Sequence, residues 1–207
     1  MYQALIMIDL QNDFMPGGAL AVPSGNQVVA VANAVQPYFQ HVIASQDWHP
    51  VNHESFAVNH VAKNVGDVID LHGVRQVLWP VHCVQDTAGA ALVDGLDVSR
   101  VERIFHKGTD PQIDSYSAFF DNEHRKETGL GAYLKNLKIT QLHILGLATD
   151  YCVKFTVLDA CHLGFEVCVI ADGCRGIDLA EGDSAKAIAE MQAAGAHVMQ
   201  SKELVKK

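Results

Sequence analysis

The chain has 207 residues, 49% of them hydrophobic and 19% charged, a composition typical of a globular α/β protein that buries its core without disulfide staples. A formal net charge of −9 disfavours nucleic acid and anionic membranes as partners, because no basic patch offsets phosphate repulsion. The cysteines at positions 83, 152, 161, 168 and 174 are odd in number and form no CxxC pair, the pattern of a reduced, cytoplasmic protein.

The first apolar run, "ALIMI" (residues 4–8), stops at Asp9 and has no basic segment before it. It is too short for a signal peptide or a membrane span and reads as a buried strand. Residues 27–39 follow as a helix, with Val28, Val31, Ala32 and Val35 on one face. "HVIAS" (41–45) is the second strand, and a long connection, 46–100, leads to the third at 103–106. Within that connection residues 88–95 predict one short helix. A second long connection, 107–129, precedes a helix at 130–136 and a strand at 141–145. Then come a helix at 150–163, a strand at 166–171, a helix at 184–194 and a strand at 197–200. Gly164 and Gly195 sit just past two of these helices, where a left-handed cap is wanted.

This alternation predicts a single α/β domain over residues 1–207, built on an open, mostly parallel six-stranded sheet with helices on both faces. Connections as long as the two interruptions usually build a site or carry small elements of their own.

In such sheets ligands bind beyond the carboxyl ends of the strands. Asp9 follows the first strand, Asp47 and His49 the second, Lys107 the third and Cys152 the fourth. A buried, inert cysteine is the commoner fate of that residue type, and Cys161 and Cys168, inside helix and strand patterns, are read that way. Cys152 differs: if Thr149 caps the helix, the thiol falls in its first turn, where unpaired N–H groups and the macrodipole favour thiolate. Asp9 either turns the chain or acts as a general base. Lys107 is either solvated, as lysines usually are, or holds Asp9 and favours the thiolate. The Asp47-x-His49 pair offers a carboxylate oxygen and an imidazole nitrogen to one ion. His82 in "WPVHC" closes a two-histidine, one-carboxylate set, with neighbouring Cys83 an alternative ligand that spacing does not exclude. Phe14, Trp48, Trp79 and Tyr116 lie near these positions, as wedges under loops or as stacking faces for a flat aromatic substrate.

The stretches "DLQNDFMPGGAL", "SQDWHPVNHESF", "WPVHCVQ", "FHKG", "DSYSAFFD" and "GLATDYCVKFT", continued by "VIADGCRGID", together resemble the isochorismatase-like cysteine hydrolases, and within them the nicotinamidase (pyrazinamidase) group. The resemblance implies a catalytic triad of Cys152, Asp9 and Lys107. It implies one divalent metal ion, zinc, iron or manganese, on Asp47, His49 and His82. It also implies a cis peptide at Leu147–Ala148, which turns the N–H groups of Ala148 and Cys152 into an oxyanion hole, and a pyridine pocket lined by Phe14, Trp79 and Tyr116. The implied reaction converts nicotinamide to nicotinate and ammonia through a cysteine thioester, feeding NAD salvage, with pyrazinamide an alternative substrate and the protein a monomer or homo-oligomer. One position departs from the pattern: Ser55 stands where some relatives supply a further histidine ligand, which leaves His53 an outer or structural residue. Two other readings stay open. The substrate is another amide, or the metal group and thiol serve binding or redox sensing without turnover; pairing of Asp9 with Lys107 speaks against the latter.

Overall fold

An unbroken apolar strand has no face to give to water, so it belongs in the middle of a covered parallel sheet. In the computed structural model, which describes residues 2–206, β1 (Gln3–Ile8) takes that place, with Ala4 to Ile8 fully buried. It pairs in parallel with β2 (His41–Asp47) on one side and β6 (Gln141–Leu147) on the other. Beyond β2 lies β5 (Val101–Lys107); beyond β6 lie β7 (Glu166–Arg175) and β8 (His197–Met199). The order is β5-β2-β1-β6-β7-β8, and every pairing in this sheet is parallel.

The chain therefore runs outward from β1 in one direction and, after β5, returns to run outward from β6 in the other. Right-handed crossovers in opposite directions put their helices on opposite faces. Helix α1 (Gln27–Val35) lies on the connection from β1 to β2 and packs against β6 and β7, while α3 (Lys154–His162) and α4 (Asp183–Ala193) belong to the second half. Helix α2 (Leu130–Asn136) bridges the two, with Tyr133 packed on Phe105 of β5. The reversal opens a crevice between the carboxyl ends of β1 and β6, the place where ligands bind in such sheets.

Several boundaries differ from the sequence reading. The helix expected over 27–39 stops at Val35 and tightens into a 3₁₀ turn at Gln36–Tyr38, because Pro37 has no N–H to continue it. Residues 88–95 form turns, not a helix. Their backbone is committed elsewhere: Asn12 and Asp13 donate to the carbonyls of Ala91 and Gly89, and Val93 donates to Leu10. The helix expected over 150–163 begins as a π turn, Thr149–Val153, before α3. Strands β2, β5, β6 and β7 run longer than their apolar cores, while β8 ends one residue early. The 46–100 connection carries an antiparallel hairpin, β3 (Val68–Leu71) and β4 (Val74–Val77). It turns at His72-Gly73, both at positive φ, as a two-residue hairpin turn requires. No helix among the described residues is long and apolar enough to cross a membrane, and all five cysteines are free.

Gly146 of β6 shows how tightly the crevice is built. It pairs with Ile8 at φ +135, and a Cβ there would overlap the Ile8 backbone oxygen, nitrogen and carbon. Backbone cannot swing aside as a flexible side chain can. Gly146→Ala is expected to cost about 3 kcal/mol or more, combining overpacking with a disfavoured φ. Urea unfolding reads this directly, and an unchanged midpoint would contradict the packing described.

Candidate active site

The last residues of β2 and β5, Asp47 and Lys107, are registered partners in neighbouring parallel strands, so their side chains leave the sheet on the same side. Asp9, one residue past β1, turns at φ +50 and is fully buried. The Lys107 side chain, with no exposure, places Nζ 2.9 Å from Asp9 Oδ2 and in direct contact with Asp47 Oδ1. It also donates to the Ser115 carbonyl at 2.9 Å and lies 3.3 Å from Cys152 Sγ. The Ser45 hydroxyl donates to Asp9 Oδ1 at 2.6 Å. Gln11 ties Asp47 at both ends of its peptide unit, accepting from the Asp47 N–H and donating to its carbonyl.

Burial acts against every charge in this group, and the neighbours decide the outcome. At Asp47, burial is outweighed by Lys107 and His49, and the carboxyl lies well below its ordinary range. At Asp9, burial and the nearby Asp47 charge outweigh the attraction of Lys107 and the Ser45 hydrogen bond, so its affinity for a proton is raised. Lys107 is itself opposed by burial, yet two carboxylates hold it well above the ordinary lysine value.

The Cys152 thiol is also pushed well up, by burial first and then by Asp9 and Asp47, with Lys107 pulling the other way. This corrects the expectation of a thiolate favoured by a capped helix end. The cap is Ala148, not Thr149, and no side chain caps the turn; desolvation outweighs the field of so short a terminus. The preceding peptide, Leu147–Ala148, is cis, as the resemblance implied.

A second group adjoins the first. His49 Nδ1 bonds to the Gly108 carbonyl at 2.9 Å and His82 Nδ1 to the Pro80 carbonyl at 2.8 Å. A carbonyl only accepts, so both rings carry a proton on Nδ1, which turns Nε2 toward Asp47 as the nitrogen that ligates a metal once it holds no proton of its own. The two Nε2 atoms stand 3.7 and 3.8 Å from Asp47 Oδ2, too far for hydrogen bonds and suitably spaced to face one ion. The three ligand atoms lie within 4.8 Å of one another, and the mixed N/O set suits zinc, iron or manganese. Gly108 is required here, since a Cβ at that position would strike the His49 ring. Of the two candidates in "WPVHC", His82 faces Asp47, while Cys83 packs in the core and its N–H donates to Asp13 at 2.7 Å. His53 lies against His49, with ring centroids 4.4 Å apart, and is tied to Ser55 Oγ at 2.7 Å. Burial and the His49 charge push it down to about 4. His49, His53 and Asp114 also converge, with ligand atoms within 4.8 Å of one another.

Phe14, Trp79 and Tyr116 line a cleft that ends on Cys152, Ala148 and Asp47. The Tyr116 hydroxyl accepts from Trp79 Nε1 and Gln76 Nε2, each at 3.2 Å. Trp48, grouped with them in the sequence, instead stacks on His106 at 4.4 Å. Four further walls, Leu20, Asp114, Tyr151 and Ile177, were not anticipated, nor were Ser45 and Gln11. All six sit inside stretches that carry the family resemblance, which is the signal that marked them.

A family model described as Isochorismatase domain matches residues 3–203. The nicotinamidase of Escherichia coli K12 is 52% identical over 198 residues, covering 94% of this chain and 92% of that protein. The nicotinamidase–pyrazinamidase structure from Acinetobacter baumanii superposes with a TM-score of 0.95 at 43% identity, covering 98% of each chain. The Pyrococcus horikoshii pyrazinamidase in complex with zinc superposes at 0.79 with 35% identity, covering 97% of this chain and 99% of that one.

The buried ammonium gives a test that needs no substrate. Without Lys107, burial and the Asp47 charge dominate at Asp9 and its folded-state carboxyl pKa rises further above the unfolded one, while Asp47 loses the largest attraction that holds it down. A carboxyl raised in this way weakens the folded state above its pKa, and that cost disappears as pH falls through it. Lys107→Met in chelator-treated protein is expected to lose about 3–5 kcal/mol near pH 8, with the deficit from wild type shrinking toward about pH 5. Urea unfolding at the two pH values checks this; an equal deficit at both would refute the assignment.

Proposed function

The chain belongs to the isochorismatase family of hydrolases, and from that premise we propose that it is an amidohydrolase converting nicotinamide to nicotinate and ammonia through a thioester on Cys152. The observation that carries the reading is the single Lys107 ammonium touching Asp9, Asp47 and Cys152 at the foot of an aromatic cleft. Redox sensing or metal storage has no use for that ion pair.

Asp9, with its raised proton affinity, takes the thiol proton as the sulfur attacks the amide carbon. Lys107 remains charged and compensates the negative charge that this leaves on sulfur. The backbone N–H groups of Ala148 and Cys152 receive the oxyanion, a contribution of typically about 3 kcal/mol for each such donor. Asp9 then passes the proton to the departing amine, which leaves as ammonia, and the acyl group stays on sulfur. A water deprotonated by Asp9 attacks the thioester, releasing nicotinate as the thiol regains its proton. Phe14, Trp79 and Tyr116 offer faces and edges to a flat heteroaromatic ring, which fits pyrazinamide as a second substrate.

Asp47, His49 and His82 would hold a divalent ion, which supplies a Lewis-acid anchor for the ring nitrogen when bound. The Nδ1–H groups of His49 and His82, committed to backbone carbonyls, fit that role, and the zinc of the Pyrococcus structure supports it. Ser55 and His53 stand outside this set. In a reduced cytoplasm the nicotinate formed re-enters NAD synthesis.

Ammonia release from nicotinamide tests the chemistry: Cys152→Ala should lower kcat by about 10⁴-fold or more, as removal of a catalytic nucleophile does. Wild-type turnover in that variant would remove Cys152 from the role. Chelation should abolish activity, and re-added zinc, iron or manganese should restore it; a rate indifferent to chelators would rule out a required ion.

A further inference from the structure

The partly open cleft over Cys152 leaves only about 20 Å³ free between its walls, room for roughly one water, whereas a cavity that binds benzene is on the order of 150 Å³. A six-membered ring therefore enters only if a wall gives way. Most walls are held from several sides. Phe14 and Trp79 are 4% exposed, and Tyr116 is gripped by Trp79 and Gln76. Asp114 accepts from Gln76 and from the Ser115 N–H. The N–H of Leu20 is bonded to Asp13, and the chain around it returns to Phe14 through Val22.

Ile177 packs against the edge of the core, but its backbone is held differently. It belongs to residues 176–182, which have no helix or strand and carry the exposed Leu179. Its N–H and that of Asp178 both donate to one side chain, Asp150, at 3.0 and 2.8 Å. Asp150 is 4% exposed and sits two residues before Cys152 on the nucleophile turn. Asp178 in turn accepts the N–H and hydroxyl of Ser184 at the start of α4, each at 2.7 Å. One carboxylate thus fastens the apolar wall to the turn that bears the thiol.

We infer that Asp150 is a positioning residue, the latch that closes the Ile177 wall over Cys152 and releases it to admit and discharge the ring. The inference rests on Cys152 as the reacting group, and its first test uses no amide. Wild type and variants, full length and metal-loaded, are treated with iodoacetamide, and modification of Cys152 is followed by peptide mass spectrometry.

Asp150→Asn keeps the side-chain size but turns a donor toward one of the two N–H groups. Cys152 should then alkylate about tenfold faster, the equilibrium change that one lost charge-assisted hydrogen bond produces. Partly exposed Cys161 should keep its wild-type rate, which excludes general unfolding. Ile177→Ala leaves the latch untouched and opens the wall, so it should accelerate Cys152 alkylation as well; if Asp150→Asn does not fold, a wild-type rate in Ile177→Ala still overturns the proposal. In nicotinamide turnover both variants should raise KM by roughly tenfold while changing kcat by less than about threefold, because a binding wall is lost and the reacting groups are kept. Wild-type alkylation in both folded variants overturns the latch, and so does acceleration in Asp150→Asn without acceleration in Ile177→Ala. Faster alkylation in both variants without amide hydrolysis by wild type would leave the latch standing and remove the nicotinamide reading.

Discussion

An ammonium with no exposure survives in a protein interior only where opposite charge meets it at contact distance, and the arrangement around Lys107 answers that demand. Asp9 and Asp47 each touch Nζ, the Ser115 carbonyl takes a third contact, and the Cys152 sulfur lies at 3.3 Å. The two acids face the same problem in reverse, since either one buried without the lysine is an uncompensated charge. Three strands must therefore end at matched heights. A slip of one residue in β5 would carry Lys107 to the opposite face of the sheet, leaving both carboxylates alone. The register that builds the sheet and the geometry that builds the site are one constraint.

The dryness that makes the triad costly also shapes its chemistry. Desolvation lifts the Cys152 thiol and the Asp9 carboxyl together, so the resting site keeps its proton on sulfur beside a carboxylate of raised basicity. Charges and dipoles act more strongly at such a site than in water. The histidine pair obeys the same economy of buried polar groups: each Nδ1 meets a backbone carbonyl, and each Nε2 is turned toward Asp47. Around this floor the walls differ in how they are secured, from the interlocked Trp79 and Tyr116 to Ile177 on its single carboxylate.

Much of the floor was legible along the chain, because a residue that ends an apolar parallel strand has its location decided by the strand. Asp9, Asp47, Lys107 and Cys152 were found that way, and β1, β2, β5 and β6 do bring them together. What failed did so for identifiable reasons. Residues 88–95 have a helical look, but their carbonyls and N–H groups are claimed by residues 10–13. Of the two roles left open for Trp48, the structure gives the packing one, its ring stacked on His106 of the neighbouring strand. The low-pKa thiol was inferred from a helix end, a local feature, while burial is a property of everything packed around it.

The sequence by itself determined the parallel α/β architecture, the strand ends that carry an acid, a metal-type pair, a lysine and a thiol, and the family to which these stretches point. Periodicity and strand termination are local, so the chain records them in order. Only the tertiary structure decided that His82 and not Cys83 faces Asp47, that Ser45 and Gln11 brace the carboxylates, and that Asp150 fastens Ile177 over the thiol. Those are contacts between residues 27 to 36 positions apart, selected by which buried polar atom finds a partner once the sheet has closed, and no spacing along the chain encodes that choice.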